Sequence, residues 1–359
     1  MKHFSVIIGY IIVTLIFISN KNLSAFQADT TTSGNANLNN NFLLKGVYDV
    51  QTAEYDWYDS TRNREVPVKI YMPKDSAGPF PVIIFSHGLG GSREGYKYLG
   101  EYWASHGFIS IHPTHIGSDT GVYRHSLHPV RALARAAEDP ANSINRFKDI
   151  SFVIDKLSEL NTVDTLLKDK INLNEIGVGG HSFGAYTALG SAGMKIILSD
   201  SSQMYFTDIR IKAAIAMSPP AKELPDSVLN QIYGGIKIPF FVMTGTKDNS
   251  PFMMFSKFTQ YNGPLGLTTA ADRRIPFDHM NGPDDYLLIL NGGDHMVFSG
   301  RFIHTPSTRK NDPLFHKLIL YSSTAFWDAY LKHNNFAKEW LVNGGFNSIL
   351  GKEGVFEHK

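Results

Sequence analysis

Gly179-Gly180-His181-Ser182-Phe183-Gly184-Ala185 is the stretch on which the reading of this chain turns. It sets glycines two residues before and two residues after a serine, the spacing G-x-S-x-G. A strand that turns sharply into a helix needs small residues at those two places. Only then can the backbone pinch and lift the serine hydroxyl clear of the sheet. The bare pattern also occurs in ordinary Gly/Ser turns, so its flanks decide. Ile176 to Gly179 reads as a short buried strand, and Ala185 to Ala192 as a helix start. Together they predict a strand, a strained turn carrying Ser182, and a helix.

Outward from that turn, strands and helices alternate. Pro81 to Phe85, Phe108 to Ile111, Ala213 to Met217, Phe240 to Met243 and Tyr286 to Leu290 are short continuous apolar runs, as strands buried on both faces would be. Val66 to Met72 alternates apolar and polar residues and stops before Pro73, which suggests a half-exposed antiparallel strand. Tyr96 to Ser105 and Ile144 to Leu160 read as helices. So does Pro313 to Leu331, with Asp312 as its expected cap. This order predicts an α/β fold, a mostly parallel central sheet with helices on both faces. Ligands in such sheets bind beyond the carboxyl ends of the strands.

A serine nucleophile needs a base, an acid to orient the base, and donors for an oxyanion. On this kind of turn the partners follow in the order Ser, Asp, His. Asp248 lies just past the Phe240 strand and His295 just past the Tyr286 strand, on the same sheet edge as Ser182. Asp294 competes for the acid role, but as the direct neighbour of His295 it is badly placed to reach Nδ1. One oxyanion donor is expected from the N–H of Phe183, the residue after the serine. The other is expected from Leu89, in the glycine-rich loop Ser86-His87-Gly88-Leu89-Gly90-Gly91. His87, His181, Met296 and Phe252 are candidate pocket residues, the two histidines as structural groups. Phe252 to Tyr261 reads as an apolar lid or a core helix. His112, His115, His125 and His128 raise a metal site, but their spacing matches no established ligand pattern. No cofactor and no metal are expected.

PVIIFSHGLGG, ASHGFIS and GHSFGA together resemble the platelet-activating-factor acetylhydrolase group of the α/β-hydrolase fold, and still more closely the bacterial proteins often labelled dienelactone hydrolases. The resemblance runs from about Val47 to Leu331. It implies an α/β-hydrolase fold and a hydrolytic enzyme. The dienelactone label implies a cysteine nucleophile, and this chain has no cysteine. In the acetylhydrolases the acid follows an earlier strand. The matching place here, after Ala213 to Met217, is Ser218-Pro219-Pro220, with no carboxylate before Glu223. That departure favours Asp248.

The absence of cysteine also rules out disulfides and thiolate metal sites. A formal net charge of +1 argues against a large basic face for nucleic acid. Lys2 and His3, an apolar run from Phe4 to Ile18, and small residues at Ser24, Ala25 and Ala28 have the layout of a secretory signal peptide. Cleavage is expected after Ala25 or Ala28. The run is shorter than the ~20 residues of a spanning helix, so a retained anchor is the lesser alternative. The domain reading is a signal peptide at 1–25, a flexible leader at 26–41 and one catalytic domain at 42–359. The expected product is a secreted or periplasmic serine esterase acting on a small-molecule ester. It would have no stable membrane anchor after cleavage, and its oligomeric state stays open. A serine peptidase, an acyltransferase and a non-catalytic binding protein are the alternatives.

Overall fold

The chain alternates its residue chemistry along the first two strands, and the pairing follows. In the computed structural model, which describes residues 41–197, 202–251, 253, 267–300 and 311–359, β1 (Val50–Asp59) and β2 (Arg64–Pro73) run antiparallel. Trp57 lies opposite Val66 and Tyr55 opposite Val68. The core face of this pair is apolar, and a one-residue slip would turn it to water.

Beyond β2 the strands become apolar throughout. β3 (Phe80–Ser86) leads to α1 (Lys97–Ser105), and β4 (Ile109–Pro113) leads to α2 (Gly121–Arg124), α3 (Pro129–Glu138) and the long α4 (Pro140–Val163). β5 (Ile171–His181) runs into α5 (Phe183–Ala192). A small hairpin of β6 (Ile196–Ile197) and β7 (Gln203–Met204) follows. Then come β8 (Ile211–Met217), α6 (Asp226–Tyr233), β9 (Phe240–Lys247), α7 (Ile275–His279) and β10 (Asp285–Asp294). α8 (Asp312–Leu331), α9 (Asn335–Val342), α10 (Gly345–Leu350) and β11 (Gly354–His358) complete the described chain.

Nine strands form one sheet in the order β1-β2-β4-β3-β5-β8-β9-β10-β11. From β4 to β10 every neighbouring pair is parallel, while β1, β2 and β11 pair antiparallel at the two sides. Alternate residues of the apolar runs go to opposite faces. Val82, Ile84, Val178, Val242 and Leu287 pack on α4 and α5, whereas Ile83, Phe85, Phe241, Met243 and Leu288 pack on α1 and α8. This is the α/β-hydrolase fold, with one hydrophobic core on each side of the sheet.

All four helices read from the sequence start at a different residue in the structure, and two of the differences concern capping. α8 takes in Asp312 as its first residue with Asn311 at the N-cap, so the expected cap instead sits in the first turn, near the positive end of the helix. α4 starts at Pro140, earlier than its apolar spacing indicates, because the Asp139 carboxylate accepts from the Ala141 N–H at 2.9 Å. Residues 1–25 and nearly all of the leader lie outside the described residues. Among those described, no helix is long and apolar enough to cross a membrane.

Candidate active site

The turn at Ser182 is as tight as its glycines require. A side chain on Gly184 would stand 1.8 Å from the Ser86 carbonyl, and one on Gly180 would stand 2.1 Å from the Gly184 carbonyl. Ser182 itself has φ 56° and ψ −114°, a strained conformation for a residue with a side chain. Its N–H is held by the Met217 carbonyl at 2.9 Å.

β5, β9 and β10 deliver three side chains to one edge. Ser182 Oγ lies 2.9 Å from His295 Nε2, and His295 Nδ1 lies 2.8 Å from Asp248 Oδ1. Asp248 is fully buried and well supplied with donors. Ser218 Oγ and Thr244 Oγ1 donate to its Oδ2 at 2.5 and 2.9 Å, and Arg273 Nε reaches its Oδ1 at 2.8 Å. Burial would raise its pKa. The Arg273 charge and the His295 and Ser218 hydrogen bonds outweigh burial and hold it below the usual carboxylate range. His295 is held below the ordinary histidine value, by burial first and then by the Arg273 charge. Asp294 does not reach Nδ1. Its Oδ1 accepts from the Met296 and Val297 N–H groups at 2.9 and 3.1 Å and shapes the turn.

The loop after β3 spends its amide groups unevenly. Gly88 N–H donates to Tyr96 Oη, Gly90 N–H to the Ser118 carbonyl and Gly91 N–H to the Gly88 carbonyl. Among the described residues the Leu89 N–H has no acceptor, and neither has the Phe183 N–H, the first of α5. Two idle amides beside a serine hydroxyl can receive a developing oxyanion.

Behind these groups runs a relay that the sequence reading missed. Gly88 N–H donates to Tyr96 Oη at 3.1 Å, Tyr96 O–H to His181 Nδ1 at 2.8 Å, and His181 Nε2–H to the His295 carbonyl at 2.8 Å. It joins the glycine loop to the loop that carries His295. Arg273 was also missed as part of the site. It comes from a single turn, Asp272–Arg274, whose sequence carries no motif. Nor does any motif mark Ser218 as a donor to a distant aspartate.

A mostly apolar cavity of about 190 Å³ opens over Ser182 and His295. Leu89, His181, Met296 and Arg273 line it, together with Val130 and Leu133 of α3, and of these His181 and Met296 are candidate pocket residues from the sequence. His87 does not line it. Its Nδ1–H turns to the Gly88 carbonyl at 2.7 Å and its Nε2 accepts the His115 N–H at 3.0 Å, so the ring is buried behind the loop. Phe183 turns its ring away as well, under the Arg146 guanidinium at 4.2 Å. Phe252 and most of the expected lid lie outside the described residues. The four histidines are not brought together. His112 bonds Ser110 and Gly95, His115 bonds Asp149 and Ser86, and His125 and His128 are exposed. Among the described residues no three metal-ligating side chains converge.

Residues 39–222, just over half of the chain, match the family model described as Chlorophyllase. That span includes Ser182 and stops before Asp248 and His295. The chain is 28% identical over 213 residues to the platelet-activating factor acetylhydrolase of Canis lupus familiaris, which is 52% of this chain and 44% of that protein. It is 27% identical over 200 residues to the Bos taurus protein of the same name, covering 48% of this chain and 41% of the other. The Cavia porcellus protein of that name gives 25% over 180 residues, 43% of this chain and 38% of the other. The chain thus spans less than half the length of each of these relatives.

Proposed function

We propose that this chain, which belongs to the chlorophyllase family, is a serine carboxylic-ester hydrolase that works through an acyl-enzyme. The observation that carries this reading is the contact series from Ser182 Oγ to His295 Nε2 at 2.9 Å and from His295 Nδ1 to Asp248 at 2.8 Å. Ser182 attacks the ester carbonyl while His295 takes its proton. The carbonyl oxygen becomes an oxyanion held by the Leu89 and Phe183 N–H groups. His295 then returns the proton to the leaving alcohol, and water repeats the cycle on the acyl-serine. Asp248 holds the imidazole in the tautomer that leaves Nε2 free to accept.

The substrate is a small-molecule ester with a short, apolar acyl group. The cavity over Ser182 is lined largely by apolar side chains, Leu89, Val130, Leu133 and Met296 among them, which supports an apolar acyl group. The name of the acetylhydrolase relatives is in keeping with a short acyl group. The N-terminal address at residues 1–25 supports export to the periplasm or beyond.

The test is a panel of p-nitrophenyl esters with Ser182→Ala as control. kcat/KM should rise from acetyl to about butyryl, by roughly fourfold per added methylene, and then fall. Ser182→Ala should lose on the order of 10³-fold or more, and a fluorophosphonate should label Ser182 in the wild type. Retention of a tenth of the activity by Ser182→Ala would remove Ser182 as the nucleophile. A rise that continues to palmitoyl would refute the short-acyl assignment.

A further inference from the structure

We propose that Arg273 is a positioning residue of the triad, a buried guanidinium that keeps His295 unprotonated in acid and so extends ester hydrolysis to lower pH. The inference rests on the reading of Ser182 and His295 given above. Arg273 is only 2% exposed, and its donors are almost wholly committed. Nε points to the Asp248 carbonyl at 2.7 Å and to its Oδ1 at 2.8 Å. Nη1 donates to the Ser218 and Pro219 carbonyls at 2.8 and 2.9 Å. These bonds fix the plane of the guanidinium, and that plane brings Nη2 to 3.1 Å from His295 Nδ1.

Counting charge explains what such a contact does. Among the buried groups, Asp248, Arg273 and neutral His295 sum to zero, while Asp294 is partly exposed and its charge is screened by solvent. A proton taken from solvent would leave a buried site at plus one, which low-dielectric surroundings penalise. A serine triad without the arginine starts at minus one and becomes neutral when its histidine is protonated, so protonation there is favoured. The chemical step differs from solvent protonation. The proton on His295 then comes from Ser182 while the substrate oxygen turns negative, and the site as a whole keeps its charge. The penalty therefore falls on the idle, protonated enzyme more than on the transition state.

Among the described residues, four titratable or charged groups face His295: Asp248 after β9, Arg273 from its own turn, His181 at the end of β5, and Asp294 in the same loop. Asp248 and Asp294 favour the imidazolium, and Arg273 opposes it. Asp248 also keeps the correct tautomer. Its charged oxygen at 2.8 Å takes the Nδ1–H, so the Arg273 Nη2 at 3.1 Å is a donor-to-donor contact that acts through its charge and not as a hydrogen bond.

The experiment compares normalised kcat/KM on a short p-nitrophenyl ester between about pH 4 and pH 9 for wild type, Arg273→Met and Arg273→Lys, and follows the His295 ring by NMR in each. At pH 5, Arg273→Met should retain a fraction of its own plateau at least about tenfold smaller than wild type retains, a tenfold change being one pH unit of histidine ionisation. Arg273→Lys, which keeps a charge without the fork, should fall between them. Superimposable profiles with the same His295 titration would overturn the proposal. If Arg273→Met does not fold, Arg273→Lys decides. An Arg273→Lys variant whose profile and His295 titration superimpose on wild type overturns the proposal, and one whose His295 titrates at higher pH with less activity left at pH 5 supports it. Failure of the triad reading looks different, as full activity in Ser182→Ala or fluorophosphonate labelling elsewhere.

Discussion

Asp248 takes charge-stabilising donors from Ser218, Thr244, Arg273 and His295, so its carboxylate is shaped for a negative charge and for nothing else. Asp248→Asn would present N–H toward a donor on one side. It should lower kcat by about 10³ to 10⁴-fold with a much smaller change in KM, because the imidazole then takes the wrong tautomer. Asp294→Asn should be nearly silent in steady-state kinetics, since an amide oxygen can still accept the Met296 and Val297 N–H groups. The reverse result would transfer the acid role to Asp294. Ser182, His295 and Asp248 could be read from the sequence because each ends a buried strand in a fixed order. Arg273 could not. Its part depends on a turn that folds back across 25 residues to reach Asp248, and nothing in Asp272-Arg273-Arg274 distinguishes it from a surface turn.

Among the elements, α1 and β5 meet in the relay from Gly88 through Tyr96 and His181 to the His295 carbonyl. Tyr96→Phe keeps the packing and removes one oxygen. It leaves the Gly88 N–H and His181 Nδ1 each without this partner, at a cost of about 1 to 3 kcal/mol in stability. It should also loosen the glycine loop that presents Leu89, so kcat should fall by roughly tenfold with KM little changed. Urea unfolding and steady-state kinetics measured together check both. Unchanged kcat would mean that the loop holds its shape without the relay. The buried strands could be read because a run such as Val82-Ile83-Ile84-Phe85 has few other places to go. β1 and β11 escaped the reading. β1 carries Glu54 and Asp56 on one face, and β11 carries Glu357 on the same face as the exposed Val355, and edge pairing is set by register with a neighbour more than by an apolar run.

For the whole molecule, acid is the informative stress. His112 is buried and lowered to about 4, by burial first, and His115 is lowered by burial and then by the Arg146 charge. Both are neutral in the folded protein. As the pH falls below about 6.5 the unfolded chain takes up protons that the folded one refuses, so stability is lost between there and about pH 4. Each histidine contributes up to about 1.4 kcal/mol per pH unit across that window. The urea midpoint should be flat from about pH 7 to 8.5 and fall below about 6.5, less steeply in His112→Gln. A midpoint unchanged down to about pH 4 would contradict neutral burial of these rings. The proposed triad has a further property on this scale. The Ser182–His295 contact joins residues 113 apart, and the His295–Asp248 contact joins residues 47 apart. No fragment of the chain can assemble the site early, because β5, β9 and β10 must all have docked first. On the proposed function, hydrolysis would be a stopwatch for the last of these docking events, and a half-folded chain would be silent, not merely slow.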